Sequence, residues 1–179
     1  PVKEFGISLG VPEANIRAVG VQYDALSGHW WEYDHDEQKD VYKDYEEGAL
    51  TVSDGKAEIV RELLAQVETA VSDRSLLIGD GSSDLLASRS VDLFVGYGGV
   101  VARERVLQEA PVFIHSLSLT PLLALVLGPA GLLELETTSD APLAEKCLAL
   151  VEKGELIFNH EQLSQKFRSA LEAVFTRPH

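Results

Sequence analysis

An α/β fold, with a parallel sheet flanked by helices, is what this sequence predicts, and three observations predict it. Four short apolar runs, "AVGV", "SLLI", "VDLFVG" and "PVFI", recur along the chain. Segments with helical spacing, such as Ala102 to Gln108 and Thr120 to Leu127, alternate with the later runs, the pattern of strands joined by crossover helices. The hydrophobic fraction of 45% is ample for a packed core in a chain of 179 residues.

In order along the chain, Val2 to Leu9 reads as a helix ending, closed by Gly10 and Pro12. Ile16 to Tyr23 alternates like a strand, and a turn at Ser27-Gly28 returns the chain through "HWWEY" as a β-hairpin. Trp30 and Trp31 then fall on opposite sides of the returning strand. Asp34 to Glu47 is acidic and rich in Tyr and Lys, with no period that would bury a face, so it reads as a solvated loop. Gly55 to Val67 is a helix: Ile59, Val60, Leu63, Leu64 and Val67 form one stripe, and Ser53 or Asp54 is placed to cap it. "SLLI", "VDLFVG" and "PVFI" follow as strands. Pro142 to Glu152, capped by Asp140 and stopped by Gly154, is a further helix. Glu161 to Phe175 is the last, with Leu163, Phe167, Ala170, Leu171 and Val174 on a face expected to dock on its own chain. The division this suggests is a core over residues 1–127, with a hairpin and loop inserted over about 20–50, and a helical extension over 128–179 packing on that core.

Charge and composition narrow the function. A net charge of −14 with scattered Lys and Arg repels phosphate backbones and anionic lipid, so neither nucleic acid nor a membrane is an expected partner. The longest apolar stretch, Leu119 to Leu135, is interrupted by Pro121, Gly128, Pro129 and Gly131 and is too short to span a bilayer. One cysteine, Cys147, excludes an internal disulfide framework and fits the cytoplasm or another reducing compartment. The five histidines have neither zinc spacing nor a His-Glu-x-x-His pattern, and "GYGG", Gly96 to Gly99, lacks the third glycine of a dinucleotide fingerprint. The chain contains no Met and opens with Pro1 inside a helix-like pattern, which suggests a fragment or a processed product, monomeric or homodimeric.

Chemistry concentrates in "GDGSSD", Gly79 to Asp84, directly after "SLLI". In an open α/β sheet, ligands bind beyond the carboxyl ends of the strands. Gly79 and Gly81 are read as letting the backbone turn tightly, so that Asp80 leaves the strand tip and Asp84 follows one helical turn later. Two acids facing one point repel unless a cation lies between them, and Mg²⁺ suits them because it binds through one or two carboxylates with waters and substrate phosphate. The same residues also suit a helix start, with Asp80 capping and Asp84 solvated in the first turn. A calcium loop does not fit: its sixth place is Leu85 and its twelfth is Val91. Lys56 stands in the first turn of its helix, against the macrodipole, where an anionic group would compensate it and where it could reach a phosphoryl group held by the metal.

"DGKAEIVRELL", "LLIGDGSSDLLAS" and "VDLFVGYGGVVARERVLQEAPVFI" resemble the lysine motif, the acidic motif and the following strand-helix-strand of the haloacid dehalogenase (HAD) superfamily, most closely its phosphoserine phosphatase branch. "KEFGISLGVPEANIRAVGVQYD" and "SGHWWEYD" resemble the segment after that family's Ser-Gly-Gly turn and its hairpin, so the likeness runs in order from Pro1 to about Leu127. The resemblance implies a Rossmann-like three-layer αβα core and a Mg²⁺-dependent phosphomonoesterase working through an aspartyl-phosphate intermediate on a small phosphorylated metabolite, phosphoserine being the first guess. It implies that Lys56 neutralises phosphate charge and holds the nucleophile, that Asp80 is a metal ligand, that Asp84 is a second acid of the metal site, and that Ser83 neighbours the substrate phosphate. The family's Asp-x-Asp-x-Thr/Val nucleophile motif and its following Ser or Thr motif have no counterpart here. "DHDEQ", Asp34 to Gln38, imitates the first, but only twenty residues separate Asp36 from Lys56, no room for a cap and a second-motif strand. No nucleophile is therefore assigned in this chain, and a non-catalytic binding or scaffold protein of the same fold is the alternative expectation.

Overall fold

The structure, a computed structural model, describes residues 2–18, 21–23, 42–45, 55–67 and 73–175. The predicted return strand "HWWEY", the caps Ser53 and Asp54 and the acids Asp34 and Asp36 lie outside the described residues. Among those described, no helix is long and apolar enough to cross a membrane. Contacts divide the chain into two units, Pro1–Glu68 and Thr69–His179.

In the first unit, α1 (Val2–Ser8) ends where Gly10 adopts a φ of 84°, the left-handed conformation in which glycine closes helices. A single 3₁₀ turn, Glu13–Asn15, follows, and a Cβ on Gly6 would lie 2.8 Å from Ile16 Cδ1, so the helix seats closely on the chain just beyond that turn. Arg17 donates to Ala14 O and to Glu62 Oε1 at 2.9 Å, tying the turn to α2 (Gly55–Ala65). The Arg17 hydrogen bond and charge hold the Glu62 carboxyl below its usual range. The stripe residues Ile59, Val60, Leu63 and Leu64 of α2 are half-buried, whereas Val67, beyond the helix end, is exposed. β1 (Val21–Tyr23) and β2 (Tyr42–Tyr45) pair antiparallel, with a register shift between Gln22 and Tyr23. This corrects the reading of 34–47 as loop throughout: 42–45 is a strand, because backbone pairing with β1 supplies what side-chain periodicity does not.

The second unit is mixed α/β, built on an open sheet of order β3-β4-β5-β6. β3 (Leu76–Gly79), β4 (Leu93–Tyr97) and β5 (Val112–Ile114) are parallel, and β6 (Leu156–Phe158) joins antiparallel to β5. The connections are α3 (Ser82–Ala87) and α4 (Glu104–Glu109), then α5 (Leu122–Val126), α6 (Gly128–Leu135) and α7 (Ala141–Glu152), with α8 (Glu161–Phe175) last. Alternate strand residues divide the core. Phe94 and Phe113 pack with Leu85, Val106 and Ala110 of the α3–α4 layer, while Val95, Val112, Ile114 and Leu156 pack with Leu122, Val151, Leu163 and Phe167 from α5, α7 and α8. The apolar face of α8 thus docks on its own chain, where the rings of Phe158 and Phe167 lie 4.9 Å apart.

Two sequence readings change. The sheet is not wholly parallel, and its fourth strand is Leu156–Phe158, inside the segment read as a purely helical extension, so residues beyond 127 complete the sheet. "AVGV" is not part of that sheet: Val21 belongs to the two-stranded one, and Gly20 lies outside the described residues. α6 was also unread, because Gly128, Pro129 and Gly131 look like breakers. Gly128 takes a φ of 66°, which redirects the chain, and Pro129 sits in the first helical turn, where its missing N–H costs nothing.

Candidate functional site

The sheet register sets Gly79 beside Gly96 and Tyr97 beside Ile114, so the chain after each parallel strand emerges at one carboxyl edge. Asp80 is the first residue beyond β3 and is exposed, its side chain 52% accessible. Across the edge, Arg103 at the start of α4 directs its Nε to Asp80 Oδ2 at 3.5 Å, and its own side chain is 57% accessible.

Asp84 behaves differently. It is buried, and its Oδ2 accepts the Gly81 N–H at 3.0 Å, the reach-back bond by which a third helical residue closes its own N-terminus. Asp84 is therefore not a solvated first-turn acid, and Gly81 rather than Asp80 is the N-cap of α3. The tight approach also explains Gly79. A Cβ there would lie 2.3 Å from Asp84 Cβ, so glycine is required for space. Neither Gly79 nor Gly81 has a positive φ, so the tight turn read from these glycines does not use the left-handed conformation. Ser83, between the acids, is half-buried.

The neighbouring tips are fastened to each other. Tyr97 donates its hydroxyl to Leu117 O at 2.9 Å, and the Gly98 N–H donates to Ile114 O at 2.9 Å. A Cβ on Gly99 would lie 2.6 Å from Ser116 O, so the loop after β4 lies flat on the loop after β5. Within the latter, the Ser118 N–H donates to the hydroxyl of buried Ser116, and Ser118 and Thr120 hydroxyls share a 2.6 Å bond. These bonds fasten the tip of β4 to the tip of β5.

Of the four predicted site residues, Asp80, Ser83 and Asp84 come together in one loop-to-helix junction of the second unit. Lys56 belongs to the first unit, half-buried in the opening turn of α2 between buried Gly55 and Ala57. Among the described residues no three His, Cys, Asp or Glu side chains gather as a metal cluster. Mg²⁺ does not need three: an exposed carboxylate at a strand tip, supported by a second, is a hard-oxygen donor set of the kind it takes with waters and phosphate, so the residues fit that ion. Two grooves lined by described residues lie elsewhere. One of about 630 Å³ is bounded by Lys3, Glu13 and Arg17, and another of about 610 Å³ lies at the opposite, amino edge of the sheet beside Leu93, Pro111 and His160. Neither contains the acids, and the chemistry-bearing residues carry the site. Arg103 was missed in the sequence; its signal was its place, four residues after the last glycine of "GYGG", where a β4–α4 loop must return past the β3 tip.

No protein-family model matches the chain, and no curated protein matches it.

Proposed function

We propose that this chain carries part of a Mg²⁺-dependent phosphomonoesterase site of the HAD type, in a Rossmann-like three-layer domain of the phosphoserine phosphatase branch. The observation that supports the reading is Asp80: an exposed carboxylate on the carboxyl tip of a parallel strand, followed within one helical turn by a buried second acid. In this reading Asp80 and Asp84 hold the ion, which when bound neutralises charge on the phosphoryl oxygens. Asp84, through the Gly81 N–H, also fixes the loop from which Asp80 projects. Ser83 lies beside the phosphate, and balancing charge that develops in the transition state is the role that the resemblance implies for the Lys56 ammonium. The attacking aspartate lies outside these residues. It displaces the alcohol from phosphorus to give an aspartyl phosphate, which water then cleaves to phosphate and the free carboxylate. The substrate is a small phosphorylated metabolite, with phosphoserine the first to try.

A second reading, a binding or scaffold protein without turnover, is favoured by the Asp80–Arg103 pair, in which the key carboxylate already has an internal counter-ion. The deciding measurement is phosphate release from phosphoserine and from an aryl phosphate, with and without Mg²⁺, by the longest natural polypeptide that contains these residues. The enzyme reading expects Mg²⁺-dependent release that falls by orders of magnitude in both Asp80→Asn and Lys56→Ala. Absence of release from both substrates would give way to the scaffold reading. Release by the 179 residues alone that vanishes in Asp36→Asn would make "DHDEQ" the attacking motif after all.

A further inference from the structure

Arg103 has a part at this edge that the phosphatase reading leaves unassigned. Its backbone is held, since its carbonyl accepts the Leu107 N–H at 2.9 Å in the first turn of α4, and Val106 anchors that helix in the core. Only the side chain is at liberty, and it crosses from the β4–α4 loop to the acid after β3. In a chain of net charge −14, a cation set directly on the candidate metal ligand changes what that ligand can bind. The contact is a single Nε to Oδ2 approach of 3.5 Å between two exposed groups, the geometry of a weak pair that a divalent ion can displace.

We propose that Arg103 is a counter-ion latch on Asp80: a divalent cation competes with the guanidinium for the carboxylate, so Arg103 lowers the metal affinity of the site. The inference rests on the assignment of Asp80 as the metal ligand. Without a metal, the guanidinium balances the exposed Asp80 charge. With one, Arg103 swings off Asp80 and the edge exchanges one cation for another. Arg103 acts through Asp80 and is a positioning residue.

Calorimetric titration with Mg²⁺ alone tests this on the chain, together with the nitrogen-15 resonance of Arg103 Nε–H as a reporter of the contact. Arg103→Ala should bind Mg²⁺ about two- to five-fold more tightly than wild type, the range that losing an exposed ion pair allows. The same substitution in an Asp80→Asn background should change nothing, because the interaction it relieves is gone. The Nε–H signal should shift on Mg²⁺ addition in wild type and stay still in Asp80→Asn. Unchanged or weaker Mg²⁺ binding in Arg103→Ala, with Asp80→Asn still impaired, overturns the latch and leaves the metal assignment standing. Tightening that persists in the Asp80→Asn background also overturns it, since the effect would then be one of general field. Full Mg²⁺ affinity in Asp80→Asn overturns the metal assignment itself, and the latch with it.

Discussion

The two ends of the β3–β4 pair are closed by aspartates in opposite ways. At the amino end, Asp92 Oδ2 accepts both the Ser75 N–H, at 2.9 Å, and the Ser75 hydroxyl, at 2.8 Å, while the Asp92 N–H returns a bond to that hydroxyl at 3.0 Å. At the carboxyl end, Asp84 is taken up by the Gly81 N–H, and Asp80 is left with one longer ion pair. The difference separates structure from chemistry. An acid that accepts short, directed hydrogen bonds from nearby backbone is a staple, with one carboxylate oxygen committed to the fold. An acid held out to solvent against a single displaceable cation keeps its charge for a ligand.

Substitutions at the two ends test that contrast. Gly79→Ala should have the largest effect. Its methyl would overlap the Cβ and Cγ of Asp84, at 2.3 and 2.4 Å, and Asp84 is buried and bonded to Gly81, so it cannot step aside. Overpacking of this kind predicts a loss of about 3 kcal/mol in urea denaturation. A loss below about 1 kcal/mol, the scale of an ordinary surface change, would mean the junction is more pliant than its packing indicates.

Asp84→Ala should come next, at about 1–2 kcal/mol, for the lost cap and the orphaned Gly81 N–H. Asp84→Asn retains a carbonyl oxygen that can accept the same bond and should lose less than half as much. Equal losses in the two variants would show that the Gly81 bond is not the structural work of this side chain, and the staple assignment would move away from Asp84.

The smallest effect belongs to the amino end and is one of pH. The Ser75 N–H and then its hydroxyl hold the Asp92 carboxyl below its usual range. A carboxyl whose folded pKa is depressed contributes stability that is complete above the unfolded value, near 4, and disappears as pH falls through the lower folded value. Asp92→Ala should therefore melt below wild type at neutral pH, by a modest margin since the group is exposed, and converge with it in acid. A melting gap that stays constant from about pH 6 to about pH 2 would show that the hydroxyl and amide geometry matters without the charge.

Much of the second unit was legible in its residues. "SLLI", "VDLFVG" and "PVFI" contain β3, β4 and β5, legible as short apolar runs alternating with helical segments, and α8 has the range its 3.6-residue period predicts. β6 was not legible: three residues, "LIF", sit between two helical patterns and become a strand by pairing antiparallel with β5. Nor was β2, whose "YKDY" is polar and owes its extended form to β1. At the site, the acidic pair was visible from its glycines and its place after a strand, but the division of labour within it was not.

By itself, then, the sequence determined the α/β class, three parallel strands, the strongly amphipathic helices and the junction where chemistry collects, since each follows from local residue spacing and from what one face must bury. Tertiary structure alone decided the antiparallel fourth strand, the burial of Asp84, the need for glycine at 79 and the pairing of Asp80 with Arg103. Each of these depends on which groups meet across the fold: a short strand between two helical patterns needs a partner's backbone, and a charge has the role its nearest neighbour assigns it. Asp80 and Arg103 stand twenty-three positions apart in the chain and 3.5 Å apart at the sheet edge, a proximity that only the parallel register of β3 and β4 creates.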